Sequence, residues 1–285
     1  MNRSLNLIAR AKINLSLAVT GKRDDGYHTI SSIMQQISLR DTLRIRITDG
    51  EGVSLQSNVP YLPTDSRNLC VKAALLYLEA GKLQKKINIH VNKRIPVAAG
   101  LAGGSTDAAA VLLGLESVFH VFGCDLPALA LRLGADVPFC LTGGVCLCEG
   151  IGEILTPLES NTSGCPVVIA KNVKGLSTPY IYQLYDGLET PPSMGDTEKI
   201  KTALSSGNIR NLADSMFNHL EAVSLKEKPE IAALKARLLA LGATGAMMSG
   251  SGPSVFGLFQ KEEDAKKAAA HLRKQGMAAY FATFM

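Results

Sequence analysis

Hydrophobic and polar positions alternate with a period of two in three early stretches of the chain, and each stretch predicts a strand. From Ile13 to Val19 the odd positions carry Ile13, Leu15, Leu17 and Val19, while Asn14 and Ser16 fall between them. That pattern predicts a half-buried strand with one polar face, and Lys12 extends the face, so Lys12, Asn14 and Ser16 point the same way. Thr42–Thr48 sets Leu43, Ile45 and Ile47 against Arg44 and Arg46. Lys86–Asn92 sets Ile87, Ile89 and Val91 against Asn88, His90 and Asn92. Between these two strands, Asn68–Ala80 predicts a helix with Gly81 in the C′ role.

A glycine-rich turn follows the third strand and leads into a helical run, Ala108–Phe119; Asp125–Leu133 predicts a second helix, closed by Gly134. Gly143–Gly152 is glycine-rich and strand-like, and a seam near 150–165 predicts two domains, 1–155 and 156–285. Beyond it the pattern predicts a buried strand at Pro166–Ala170 and helices at Asp196–Ser205, Ile209–Val223 and Glu230–Leu241. A loop at 245–253, a strand at Ser254–Phe259, a charged helix at Lys261–Gln275 and a last strand at Met277–Phe284 complete the chain. This mixed order predicts α+β layers rather than a doubly wound sheet.

Composition narrows the class. The 285 residues can bury a sizeable core, and 46% apolar with 19% charged residues excludes disorder. No membrane span and no export signal are expected, which places the chain in the cytoplasm. The net charge of +5 raises nucleic-acid binding. Its lysines and arginines are scattered, however, and clusters such as Lys82–Lys86 and Lys266–Arg273 read as solvated faces. None of the six cysteines forms a C-x-x-C pair, so they read as buried thiols of a reducing compartment.

The turn Pro96-Val97-Ala98-Ala99-Gly100-Leu101-Ala102-Gly103-Gly104-Ser105-Thr106-Asp107 is the strongest candidate for chemistry. Glycine lets a backbone adopt positive φ and approach a ligand closely. The first amides of the following helix, with its dipole, make an anion site, and the dipole alone stabilises a bound phosphate by roughly 0.3–1 kcal/mol. The competing reading is a tight turn with an N-cap. The turn is neither a Walker A loop, since no lysine follows Gly104, nor a G-x-G-x-x-G fingerprint. A second glycine-rich loop spans 245–254. Asp136, between Gly134 and Pro138, is a candidate acid/base or simply a cap. Lys12 is a lone cation on its strand, and Gly26-Tyr27-His28-Thr29 places an aromatic beside an imidazole.

Together these segments resemble the GHMP kinase superfamily. Ala11-Lys12-Ile13-Asn14-Leu15 is similar to its first motif, Pro96–Ala109 to its second and Thr244–Ser254 to its third, in that order. Gly26–Thr29, Leu133–Phe139, Glu149–Glu153 and Ser177-Thr178-Pro179 narrow the resemblance to the branch of non-mevalonate isoprenoid biosynthesis. That resemblance implies a ribosomal-S5-like ATP-binding domain and a ferredoxin-like C-terminal domain, with substrate in the cleft between them. It implies ATP and Mg²⁺ as cofactors and the 2-hydroxyl of cytidine diphosphate methylerythritol as acceptor.

By the same resemblance, Lys12 and Asp136 are the catalytic pair, Asp136 taking the hydroxyl proton while Lys12 keeps it ionised. Pro96, Val97, Ala98, Ala99, Gly100, Leu101, Ala102, Gly103, Gly104, Ser105 and Thr106 hold the triphosphate. Asn14, Tyr27, His28, Thr178 and Tyr182 contact substrate, Tyr182 lying against the cytosine. The Mg²⁺ ligands are unassigned, and the implied state is a monomer or weak homodimer without nucleic-acid or membrane partners. Ala102 stands where relatives usually have glycine, and Tyr182 where they often have phenylalanine. Rival readings are a sibling kinase acting on mevalonate, homoserine or a sugar, a non-catalytic nucleotide-binding regulator, and a basic nucleic-acid-binding module.

Overall fold

A computed structural model of the chain describes residues 2–285. Its elements begin with β1 (Arg3–Asn14), β2 (Ser16–Lys22), β3 (His28–Asp49), β4 (Gly52–Ser57), α1 (Leu69–Ala80) and β5 (Lys85–Asn92). There follow α2 (Gly103–Phe119), α3 (Leu126–Leu133), α4 (Val137–Thr142), β6 (Val145–Glu149), β7 (Ile154–Pro157), β8 (Pro166–Lys171) and α5 (Thr178–Asp186). The remainder is α6 (Thr197–Ser206), α7 (Ile209–Ser215), β9 (Phe217–Asn218), α8 (Glu221–Glu227), α9 (Pro229–Ala240), β10 (Gly245–Met248), β11 (Val255–Leu258), α10 (Glu262–Lys274) and β12 (Ala278–Thr283). The architecture is α+β, as expected. No helix among the described residues is long and apolar enough to cross a membrane.

The chain divides into two compact units, each built from separate segments. The first takes the N-terminal segment through Ala11 with Arg40–Val97 and Ala102–Gly143. Its sheet is legible in the alternation of the sequence: β3 and β5 run antiparallel with Leu43, Ile45 and Ile47 opposite Val91, Ile89 and Ile87. All six are nearly fully buried, while Arg44 and Arg46 stay outside. Each buried aliphatic side chain stabilises the fold by about 1.5–3 kcal/mol. β4 adds in parallel to β5, and α1, α2, α3 and α4 pack together. Asn68 caps α1 by accepting from the Cys70 amide at 2.9 Å. Gly81 is not left-handed, with φ −87°. Its lack of a side chain matters for space, because a Cβ there would sit 2.7 Å from Val121.

The second unit takes Lys12–Leu39, Ala98–Leu101 and Gly144–Met285. The first part of β3 pairs antiparallel with β2 and β6, and β6 continues to β7. A separate antiparallel sheet has the order β10-β11-β8-β12, and α9 and α10 pack on it. Val168, Phe259, Leu234, Leu238 and Leu272 lie in its core, each at most 1% exposed.

Three expectations in this unit are corrected. The helix expected over Ile209–Val223 is broken, because Phe217 and Asn218 pair in parallel with Ser16 and Leu17 as β9. The loop expected at 245–253 begins as a strand, β10, paired with β11. α5 stands where no helix was expected.

Candidate functional site

The polar face of the first strand is internal, not half-exposed. β1 ends at Asn14 and the chain bends at Leu15, and Lys12, Asn14 and Ser16 are only 4%, 1% and 0% exposed. Buried polar groups are tolerated when hydrogen-bonded, and these are. Lys12 Nζ donates to Asn14 Oδ1 at 2.8 Å, and Asn14 Nδ2 donates to Ser32 Oγ at 2.8 Å. The Ser32 hydroxyl donates to the Ser16 carbonyl at 2.5 Å, and Ser16 Oγ accepts from the Ile33 amide at 2.9 Å. Lys12 is therefore oriented by a network and is not a surface strand lysine.

Parts of the two glycine-rich loops join this network within the second unit. The Lys12 amide donates to the Leu101 carbonyl at 3.2 Å. Ser249 Oγ donates to the Gly100 carbonyl at 2.9 Å. Gly250 packs so closely that a Cβ there would lie 3.4 Å from the Gly100 carbonyl and 3.5 Å from Asn14 Oδ1. Asn218 of β9, a residue sequence reading missed, holds this loop by donating to the carbonyls of Met248 and Gly250 at 2.9 and 2.8 Å. Its partners stand 30 or more residues away, so no local pattern marks it.

Left-handed backbone recurs at every second residue of the first loop: Ala98 (φ 48°), Gly100 (φ 73°) and Ala102 (φ 55°). Such alternation makes anion-binding concavities from successive amides. Ala102 keeps a conformation suited to glycine at a strain of about 1–2 kcal/mol. It sits at the N-cap of α2, whose first turn carries Gly103, Gly104 and Ser105, and the Thr106 amide already donates to the Ala102 carbonyl at 2.8 Å. Pro96 and Val97 belong to the first unit, as does the 102–106 segment.

A charged cluster, also missed from sequence, fixes the start of α2. Lys93 Nζ donates to Asp107 Oδ2 at 2.6 Å, to the Gly103 carbonyl at 3.2 Å and to Asp41. Asp41 in turn accepts from the amides of Arg94 and Ile95. Burial works against the Lys93 ammonium, but its two carboxylates outweigh it and raise the pKa. Burial first, and Asp41 beside it, raise the Asp107 carboxyl to about 7 against the pull of Lys93.

Asp136 takes the N-cap position of α4, again in the first unit, without a side-chain capping bond. The capping alternative therefore does not account for it.

In the second unit His28 meets Tyr182 and Asp186. The rings of His28 and Tyr182 stack with centroids 4.7 Å apart, and His28 Nε2 lies 2.6 Å from Asp186 Oδ1. Asp186 also accepts from Lys22 Nζ at 2.6 Å, and that ammonium first, then His28, lowers its carboxyl below the ordinary value. Thr178 Oγ1 lies 2.8 Å from Ser251 Oγ, while Tyr27 is 61% exposed. The structure thus groups Lys12 and Asn14 with Gly100, Leu101, Ser249 and Gly250, and His28 with Tyr182; Thr178 joins Ser251.

Residues 68–144 match the family model for the GHMP kinases N terminal domain, and 200–277 match that for GHMP kinases C terminal. The chain is 43% identical to a 4-diphosphocytidyl-2-C-methyl-D-erythritol kinase of Clostridium acetobutylicum, over 95% of this chain and 96% of that one. It is 46% identical to the protein of the same name from Acetivibrio thermocellus, over 92% of each. A crystal structure of 4-(cytidine 5'-diphospho)-2C-methyl-D-erythritol kinase superposes with a TM-score of 0.84 at 37% identity, covering 100% of this chain and 99% of that one.

Proposed function

The chain belongs to the GHMP kinases, in the family of 4-diphosphocytidyl-2-C-methyl-D-erythritol kinases, and we infer from this that it transfers the γ-phosphoryl group of ATP to the 2-hydroxyl of that alcohol, a step of non-mevalonate isoprenoid precursor biosynthesis. The observation that carries the reading is the network joining Lys12 and Asn14 to Gly100, Leu101, Ser249 and Gly250, because it gathers pieces of three distant motifs around one buried cation.

Phosphoryl transfer requires positioning and charge neutralisation more than covalent chemistry by the protein. The loop Pro96–Thr106 fits a triphosphate: left-handed turns at Ala98, Gly100 and Ala102 feed a 17-residue helix whose first amides are anion donors. Lys12 supplies positive charge at this loop and steers the hydroxyl or the γ-phosphoryl group. Asp136 accepts the hydroxyl proton or orients the hydroxyl for attack. Asn14, Tyr27, His28, Thr178 and Tyr182 are the substrate contacts, with His28 and Tyr182 at the base.

The described residues contain no group of three His, Cys, Asp or Glu side chains placed to hold a metal. The family resemblance implies Mg²⁺, an ion that in nucleotide sites is held by the phosphates and few protein oxygens. Ser105, half-buried in the first turn of α2, would hold it, whereas Thr106 is 2% exposed. When bound, Mg²⁺ neutralises charge on the β- and γ-phosphates.

We assign ATP binding to 1–155 and the C-terminal substrate-binding domain to 156–285; the two family matches fall on either side of that boundary. We place the enzyme in the cytoplasm as a monomer or weak homodimer without nucleic-acid or membrane partners, and five of its six cysteines are buried, which suits structural thiols in a reducing compartment. The test is ADP release from Mg-ATP with a panel of alcohols. Turnover of the cytidyl methylerythritol acceptor is expected, and turnover of mevalonate or homoserine alone would replace the reading.

A further inference from the structure

One turn of α5 grips the His28 imidazole on its edge and its face. Tyr182 stacks on the ring and Asp186 meets Nε2; being four residues apart, they stand on one side of the helix. Ile181 and Tyr185, 0% and 8% exposed, bury the neighbouring side in the core. Thr178 ties the helix start to Ser251 at 2.8 Å, and the Tyr185 hydroxyl lies 3.3 Å from His219 Nδ1 near its end. The grip is therefore held by a helix secured along its length.

Asp186 is kept ionised by Lys22 as well as by His28. A carboxylate only accepts hydrogen bonds, so the nitrogen facing it carries the proton. In the neutral ring Nδ1 then holds the lone pair. Cytosine presents an amino donor at the position where uracil presents a carbonyl acceptor.

Resting on the reading that His28 meets the base of the substrate, we propose that Asp186 is a positioning residue for base choice. It holds His28 as the Nε2–H tautomer, so that Nδ1 accepts from the exocyclic amino group of cytosine and opposes the carbonyl of uracil. Amino group and lone pair form a bond, whereas two acceptors face to face leave both unsatisfied. Mispairing of that kind discriminates steeply.

The test uses ¹⁵N-labelled full-length protein, the cytidyl substrate and its uridyl counterpart. The long-range ¹H–¹⁵N spectrum of the neutral His28 ring, assigned by its loss in His28→Ala, is expected to show a proton on Nε2 and none on Nδ1. The reverse pattern in the wild-type protein overturns the proposal without need of a variant. Asp186→Asn, whose amide can donate as well as accept, is expected to populate both tautomers. It should lower the cytidyl-over-uridyl ratio of kcat/KM at least about tenfold while leaving KM for ATP unchanged. An unshifted ratio overturns the role of Asp186. His28→Ala separates the two claims: an unchanged KM for the cytidyl substrate would defeat base reading itself. A raised KM beside an unshifted Asp186→Asn ratio would defeat only the role given to Asp186.

Discussion

The hydroxyl of Ser249 donates to the carbonyl of Gly100 at 2.9 Å, joining two glycine-rich loops 149 residues apart in the chain. Gly100 has φ +73°, and a Cβ there would lie 2.1 Å from the Ser249 carbonyl oxygen. Gly100→Ala is therefore expected to destabilise the protein by about 1–3 kcal/mol and to raise KM for ATP. Ser249→Ala removes one hydrogen bond and costs about 1 kcal/mol. Urea unfolding ranks the two, and a milder effect for Gly100→Ala would contradict the packing.

Lys93 bonds both Asp41 and Asp107 where all three side chains are nearly fully buried. Lys93→Met leaves the buried Asp41 carboxylate without its cation and should cost about 3–5 kcal/mol. A loss below about 1 kcal/mol in guanidinium unfolding would show that the cluster does not secure α2.

Asp107 gives this cluster a pH dependence with a definite sign. Its folded pKa of about 7 lies above the ordinary 3.8. Between those values the unfolded chain ionises the carboxyl and the folded chain keeps it protonated. The contribution to stability is thus fully present below about pH 4 and fades as the pH rises to about 7. Asp107→Asn removes the dependence, so its stability relative to wild type should grow from about pH 5 to about pH 8. A flat or falling difference contradicts the raised pKa.

Where neighbours in sequence set the environment, the structure was legible. The alternations at Thr42–Thr48 and Lys86–Asn92 each carry their buried face locally, and the two pair in register. The turn within Pro96–Asp107 was legible because clustered glycines disfavour helix and strand and permit left-handed backbone, which the chain adopts at Ala98, Gly100 and Ala102. Lys12 was readable as a candidate, but not its burial, because Ser32 and Ile33, which complete its network, lie on another strand. Asp186 left no trace, since Lys22 and His28 stand 164 and 158 residues away. Phe217 and Asn218 interrupt a helical pattern only because Ser16 and Leu17 offer them a strand to pair with.

Asp136→Ala is expected to lower kcat by about 10²–10⁴ with nucleotide affinity nearly unchanged. Stopped-flow single turnovers with a separate ATP titration measure both. An unimpaired kcat removes Asp136 from the mechanism.

Tyr182→Ala removes the ring stacked on His28 and the surface assigned to the cytosine. Base stacking is worth about 1–3 kcal/mol, so KM for the cytidyl substrate should rise far more than KM for ATP. Tyr182→Phe, which keeps the ring, should restore most of the loss. Equal effects on both KM values would contradict the assignment.

³¹P NMR of the products, after incubation with Mg-ATP and 4-diphosphocytidyl-2-C-methyl-D-erythritol, tests the central claim most directly. A new phosphomonoester resonance that grows in step with ADP, beside an intact diphosphate bridge, is the predicted result. ADP accompanied only by inorganic phosphate, or no reaction under conditions where mevalonate is phosphorylated, would contradict it.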